Sequence, residues 1–390
     1  MTKNRLFLFF FVIMLFTASL PVKSAVAVGL DLKKIKPLTE IDFPPEEEFH
    51  EKTQLIEEVP YNDESLSFKV RLPKEWQSSA DLTGSTTAQG NLGQQALGVL
   101  VKYISPPKDH LRSFFTMEAL QLTYEIGARN WFINYVISNG LTIEQVGTES
   151  ERQVEAIYFE VQGDTTYVVR VKAIINGSRM VMARYYLPQE HYQDDWILQG
   201  QVIDSFELMN REETGVEELK IHGFLDQSFF DYPVSWTLSA PLVKSIDRMK
   251  AMLYHNTVVG KLDGQINIYL TNKQIGTTRA KEVAFYKEKF KIDNYELGKF
   301  LDEPKLEFHK DMAFGVTQVY EMNPQVANMM KYELWVSVME GLDYIYVISL
   351  LTPARTEEFY TWARNVEAYK LIIKGMRRND ENVDYYQFIR

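Results

Sequence analysis

The sequence predicts an α+β fold: two tandem α/β/α sandwich-like domains, each an antiparallel sheet covered by helices, after a signal peptide and an acidic linker. Three observations predict it. Short runs alternate apolar and polar residues with the period of two that marks half-buried strands. Those strands follow one another through hairpin turns, with helical patterns before and after. That is the order of an antiparallel sheet with segregated helices, not of a parallel βαβ sheet. Four landmarks then recur in one order at nearly one spacing, and 390 residues are enough for two domains.

Lys3 and Arg5 precede an apolar run over 6–16, and Ala25-Val26-Ala27 follows. A basic start, an apolar stretch and an A-x-A site are the parts of a secretory signal peptide, with cleavage expected between Ala27 and Val28. The run is shorter than the ~20 apolar residues of a spanning helix, and no later stretch is longer. The mature chain is therefore expected in a periplasm or secreted, without an integral span; an uncleaved anchor is the rival reading. There is no cysteine, so lipoprotein anchors, disulfides, thiolate metal sites and cysteine nucleophiles are excluded. The net charge of −11, or −14 without residues 1–27, lacks the basic footprint of a nucleic-acid binder.

Residues 28–57 read as an acidic lead-in. Eleven acids and four lysines fall in 31–64, and Pro37, Pro44, Pro45 and Pro60 break any long helix. The segment reads as a solvated linker or as an extended arm for a basic partner surface, with Glu46, Glu47 and Glu48 as candidate partner-binding residues. Three consecutive side chains diverge, which disfavours calcium.

The first domain is placed at 58–209. Its strand over 65–73 alternates strictly, stops at Pro73 and is followed by Trp76. A Ser/Thr/Gly/Gln-rich loop with Gly84, Gly90 and Gly93 leads to a strand over 96–105. Residues 111–139 read as one long aromatic helix. Strands over 154–162, 166–175 and 180–187 follow, turning at Gly163-Asp164 and Asn176-Gly177. Pro188 opens a helix with Trp196, Ile203 and Phe206.

A charged linker is placed at 210–223 and the second domain at 224–376. Strands are predicted over 232–241 and 265–271. Helices are predicted over 277–290 and 294–301, with Thr277, Thr278 and Asp293 as N-caps. Strands over 313–322, 330–339 and 344–351 come next, turning at Gly341, and Pro353 opens a helix with Trp362, Tyr369 and Ile372. The matched landmarks are Pro73 with Pro241, Gly177 with Gly341, Pro188 with Pro353 and Trp196 with Trp362.

The pattern Phe68-x-Val70-x-Leu72-Pro73-x-x-Trp76, with hairpin strands and a terminal amphipathic helix in both copies, resembles the PsbP/DcrB-like family of small α/β/α sandwiches. The resemblance covers 58–209 and 224–376. The second copy departs from it: Trp236 falls inside the predicted strand and no Trp follows Pro241. The resemblance implies non-enzymatic accessory or assembly domains, many exported, with no catalytic residue to carry over.

Catalytic motifs are missing. His50, His110, His191, His222, His255 and His309 are scattered, with no H-E-x-x-H. There is no G-x-S-x-G elbow and no phosphate-cradling glycine loop. His191 with Asp194 and Asp195 reads as a helix start, and Lys287, Glu288 and Lys289 as a solvated face. Trp131, Trp196, Trp236, Trp335 and Trp362 read as core, and Asn176-Gly177-Ser178 as a turn, not a glycosylation site. No catalytic residue, cofactor or metal is expected.

The expected function is a non-catalytic exported protein-interaction module, an accessory part of an envelope assembly or secretion complex, with another envelope protein as partner. A periplasmic small-ligand or lipid carrier is the alternative, and a hydrolase assembled from distant residues a second. Tyr385, Tyr386 and Phe388 in the tail, 377–390, are further candidate partner contacts, because clustered aromatics need something to bury them.

Overall fold

The computed structural model describes residues 35–80, 95–147, 150–225, 227–240, 245–256, 262–287, 295–326 and 329–379. The predicted signal peptide, the loop with Gly84, Gly90 and Gly93, Asp293, and the tail residues Tyr385, Tyr386 and Phe388 lie outside the described residues.

The first half runs β1 (Lys36–Pro37), α1 (Glu46–Lys52), β2 (Thr53–Glu58), β3 (Phe68–Pro73), β4 (Gln77–Ser78), β5 (Gln95–Ile104), β6 (Phe114–Gln121), α2 (Ala128–Ser138), β7 (Thr142–Val146), β8 (Gln153–Gln162), β9 (Thr165–Asn176), β10 (Arg179–Pro188), α3 (Tyr192–Asp204) and β11 (Glu207–Leu208). The second runs β12 (Leu219–Phe224), β13 (Ser228–Pro233), β14 (Thr237–Ser239), β15 (Arg248–Asn256), β16 (Leu262–Asn272), α4 (Arg279–Lys287), β17 (Tyr295–Asp302), β18 (Phe314–Pro324), β19 (Tyr332–Glu340), β20 (Tyr344–Pro353), α5 (Phe359–Gly375) and β21 (Arg377–Arg378).

The large sheets are ordered β1-β7-β8-β9-β10-β6-β5-β4 and β14-β15-β16-β20-β19-β18-β17. Read from β4 and from β14, seven strands follow one order in both. The small sheets match too, β11-β3-β2 against β21-β13-β12. Among the described residues, only the pairing of β1 with β7 is parallel.

Central strands are buried along most of their length because both faces are covered; β20 is buried throughout. In the first half α3 and the small sheet cover one face, where Phe68, Val70, Ala183, Tyr185 and Phe206 pack together. Helix α2 covers the other. In the second half α5 lies on the face of Ile348 and Leu350, the places that Ala183 and Tyr185 hold in β10. Helix α4 covers the opposite face. The core under α2 and the core under α5 are one continuous cluster drawn from both halves, and α2 packs on α5.

Several expectations are corrected. Residues 111–139 are a strand and a shorter helix: β6 sits between β5 and β10, and a strand buried on both faces lacks the alternation that would reveal it. Residues 294–301 fall mostly in β17, not a helix. The lead-in is not free. Its Pro37 lies in β1, Phe49 of α1 is buried, and 53–58 pair with β3. The last part of the predicted linker, 219–223, falls in β12. Its first part is tied down, since the Glu212 N–H donates to Asn176 Oδ1 at 2.6 Å and the Gly177 N–H to the Glu212 carbonyl at 3.0 Å.

The counterpart of β3 is β13, ending at Pro233 and not at Pro241. Trp236 then stands three residues past its proline, as Trp76 does. In both, the indole residue's backbone N–H donates to that proline's carbonyl at 3.0 Å. The predicted strand over 232–241 is therefore corrected: its first part ends β13 at Pro233, and Pro241 lies outside the described residues.

Candidate functional site

Among the described residues, two of the places where the fold gathers polar side chains bear on a site. The first is the face of the first sheet under α2, where β6 and β10 run side by side. Arg184 stands opposite Thr116, and Glu118 opposite Met182, so the two charges are diagonal neighbours on one face. Both are wholly buried and bonded to each other. Arg184 Nη1 also donates to the Tyr135 hydroxyl of α2 at 3.0 Å, and the guanidinium lies 5.6 Å from the Tyr186 ring centre. Thr116 Oγ1, Glu118 Oε1 and Arg184 Nε have no hydrogen-bond partner among the described residues. The Tyr186 hydroxyl lies beside Tyr158 and Glu160 without a bond of good geometry. Burial pushes the Tyr158 and Tyr186 hydroxyls well up, so both stay neutral donors and acceptors. In the second sheet, Tyr269 and Ser349 hold the places of Glu118 and Arg184, and Tyr269 stacks on Tyr286 of α4 at 4.1 Å. The Glu118–Arg184 pair has no counterpart at those two positions, although buried Glu282 of α4 pairs with Arg248 at 2.7 Å. The unsatisfied donors and acceptors around Glu118 and Arg184 suit a polar guest or ordered water.

The second place joins the halves. Arg364 of α5 bonds Asp263 at 2.6 Å and lies 4.7 Å from the ring of Tyr124, from the first half. His255 Nδ1 is 3.4 Å from Asp263, with its ring edge-on to Tyr124 and Trp236. Burial alone would raise the Asp263 carboxyl, but His255 and Arg364 outweigh it and hold it below the ordinary range. Nearby, Lys370 of α5 bridges Glu151 at 2.9 Å and Glu367 at 3.3 Å. Glu125 and Glu217 each take the other's backbone N–H, at 3.0 and 2.9 Å. Burial pushes the Glu125 carboxyl up.

Of the residues singled out in the sequence, His255 and Trp236 meet in the second place, while Glu46, Glu47 and Glu48 join neither. Glu46, Glu47 and Glu48 form the exposed first turn of α1, where acids suit the helix dipole. Buried His191 faces Asp109 at 3.6 Å, whereas Asp194 and Asp195 pair with Lys108, so the three do not combine. Trp131, Trp236, Trp335 and Trp362 are buried, and Trp196 is half-buried. The Asn176 amide is buried and bonded to two carbonyls. Among the described residues no three metal-ligating side chains converge. Sequence reasoning missed Glu118 and Arg184. Their signal was a lone charge inside an otherwise apolar run, hidden for Glu118 by the helix assignment.

No family model matches the chain, and no curated protein matches it. Among solved structures, it is similar to cyanobacterial PsbP (CyanoP) from Synechocystis sp. PCC 6803, with 10% identity and a TM-score of 0.30 over 40% of this chain and 92% of that one. It is also similar to the type VI secretion immunity protein TplEi from Pseudomonas aeruginosa, with 7% identity and a TM-score of 0.22 over 80% of this chain and 94% of that one. At TM-scores this low, fold and function rest on the chain's own residues.

Proposed function

We propose that this chain is a non-catalytic interaction module of an exported protein, built from two copies of one PsbP-like unit. It serves as an accessory part of an envelope assembly or secretion complex, with another envelope protein as partner. The observation that carries this reading is how the surface and the junction divide the work. At the junction, charged groups hold the halves together. At the sheet edges, large apolar side chains face solvent: Leu55 on β2, Leu219 and Ile221 on β12, and Leu297 and Phe300 on β17. The shared strand order and the paired Pro-x-x-Trp turns support the two copies. Chemical cross-linking in the envelope fraction, followed by purification, tests the reading. A stoichiometric complex is expected; recovery only as a free monomer across detergents and salt levels rejects it.

A carrier of a small polar ligand is the second reading, favoured by the unsatisfied atoms around Arg184. Native mass spectrometry of the protein from its source would then show an added mass that Arg184→Met removes.

A further inference from the structure

The two large sheets end on equivalent strands, β7 and β17, and the two edges are finished differently. Matched through their neighbours, Ile143 and Gln145 of β7 correspond to Phe300 and Asp302 of β17. The β7 edge is covered by β1, with Lys36 opposite Gln145 and Pro37 opposite Val146. Lys36 Nζ bonds Glu144, and the Thr39 N–H donates to Gln145 Oε1 at 3.0 Å. Beyond β17, no strand is present among the described residues. The strand is eight residues long, and Leu297 and Phe300 are 43% and 52% exposed. An uncovered edge offers a row of unpaired N–H and C=O groups, the template for strand addition.

We propose that the outer edge of β17 is a docking site for a short extended segment of a partner protein, one that carries lysines among apolar residues. This rests on the interaction reading above and names the partner chemistry. The first half shows what such an edge accepts: β1 is a short, lysine-bearing strand that pairs over two residues and sets its lysine on an acid. The β17 edge has the matching charge. Glu296, Asp302 and Glu303 are exposed, while Lys299 is engaged by Glu321 at 3.2 Å. Phe300 and Leu297 supply apolar area for the segment's alternate side chains.

A second copy of the chain fits poorly. The pairing of β17 with β18 shifts register between Leu297 and Phe300 and again between Phe300 and Asp302. Such irregularities bend an edge away from long, straight self-pairing. Two copies would also bring like acidic edges together.

The test uses the full chain and, as probe, a synthetic peptide of residues 31–43, the chain's own lysine-bearing strand segment. Hydrogen exchange read by mass spectrometry is expected to show the peptide slowing exchange across 296–303. Phe300→Asp should weaken binding at least tenfold, as should a peptide with its lysines changed to glutamate. Phe300 is exposed, so the variant keeps its melting temperature; Leu297→Asp is the second variant. Protection only at β7, no protection, or protection unchanged in both variants overturns the proposal. So does Phe300-dependent self-association in sedimentation, which would assign the edge to a second copy. If Phe300→Asp still forms the cross-linked envelope complex, the edge proposal fails while the interaction reading stands. If wild type forms no complex, the interaction reading itself fails.

Discussion

Arg184 and Glu118 show how much a single residue can decide. Each is fully buried, and each is tolerable only because of the other. Removing one charge leaves its partner stranded, so Glu118→Ala is expected to cost about 3–5 kcal/mol in denaturant unfolding. The double replacement Glu118→Leu with Arg184→Met should recover most of that, because an apolar pair carries no desolvation penalty. A double variant as unstable as the single would show that the pair does more than neutralise itself. Asp263 makes a prediction about pH. Its folded carboxyl is held below the ordinary value of about 3.9. The stability it adds is therefore present at neutral pH and lost as pH falls through the depressed folded value. Asp263→Asn should melt lower than wild type at pH 7, and the gap should close below about pH 4. A gap independent of pH would mean the charge contributes nothing.

At the scale of elements, the two Pro-x-x-Trp turns are the clearest paired device. Pro73 and Pro233 each end a strand of a small sheet, and Trp76 and Trp236 each fold back into the core, 7% and 5% exposed. Alanine at either tryptophan is expected to cost about 3–5 kcal/mol by calorimetry, and the two losses should be similar. A cost confined to one site would count against equivalent roles. The elements misread from sequence failed for physical reasons. β6 is buried on both faces because helices and a small sheet cover both, so its Phe114, Phe115, Met117 and Leu120, with polar Thr116 and Glu118 among them, give no clean period of two. β17 lies on a half-exposed edge, and its interrupted pairing with β18 blurs the alternation that marks a strand.

Across the whole molecule, the halves are joined by a shared core and not by a tether. Trp131 and Tyr135 of α2 belong to the same cluster as Trp362 and Tyr369 of α5. Around them stand Arg364 over Tyr124, Lys370 on Glu151, and the reciprocal Glu125 and Glu217 contacts. The full chain should therefore unfold in one calorimetric transition. Residues 219–379 alone should expose the apolar surface that α2 covers, and bind a hydrophobic dye. Two separable transitions, or a well-folded isolated half, would show the halves to be independent.

The α+β class and the hairpin strands over 153–188 and 314–353 were determined by the sequence alone. So were the closing helices around Trp196 and Trp362. Alternation, turn glycines and helix-opening prolines are local, and they act through the nearest few residues. The tertiary structure alone decided what depends on neighbours distant in the chain. It placed β6 and β16 inside their sheets, each third from one edge, and ended the strand of the second half at Pro233. It also set Arg184 against Glu118 from strands 66 residues apart, and laid the lead-in along one edge while leaving its twin without a covering strand among the described residues. Burial on both faces erases the periodicity that a sequence displays, and pairing across a sheet is fixed by shape and register, which no single segment encodes.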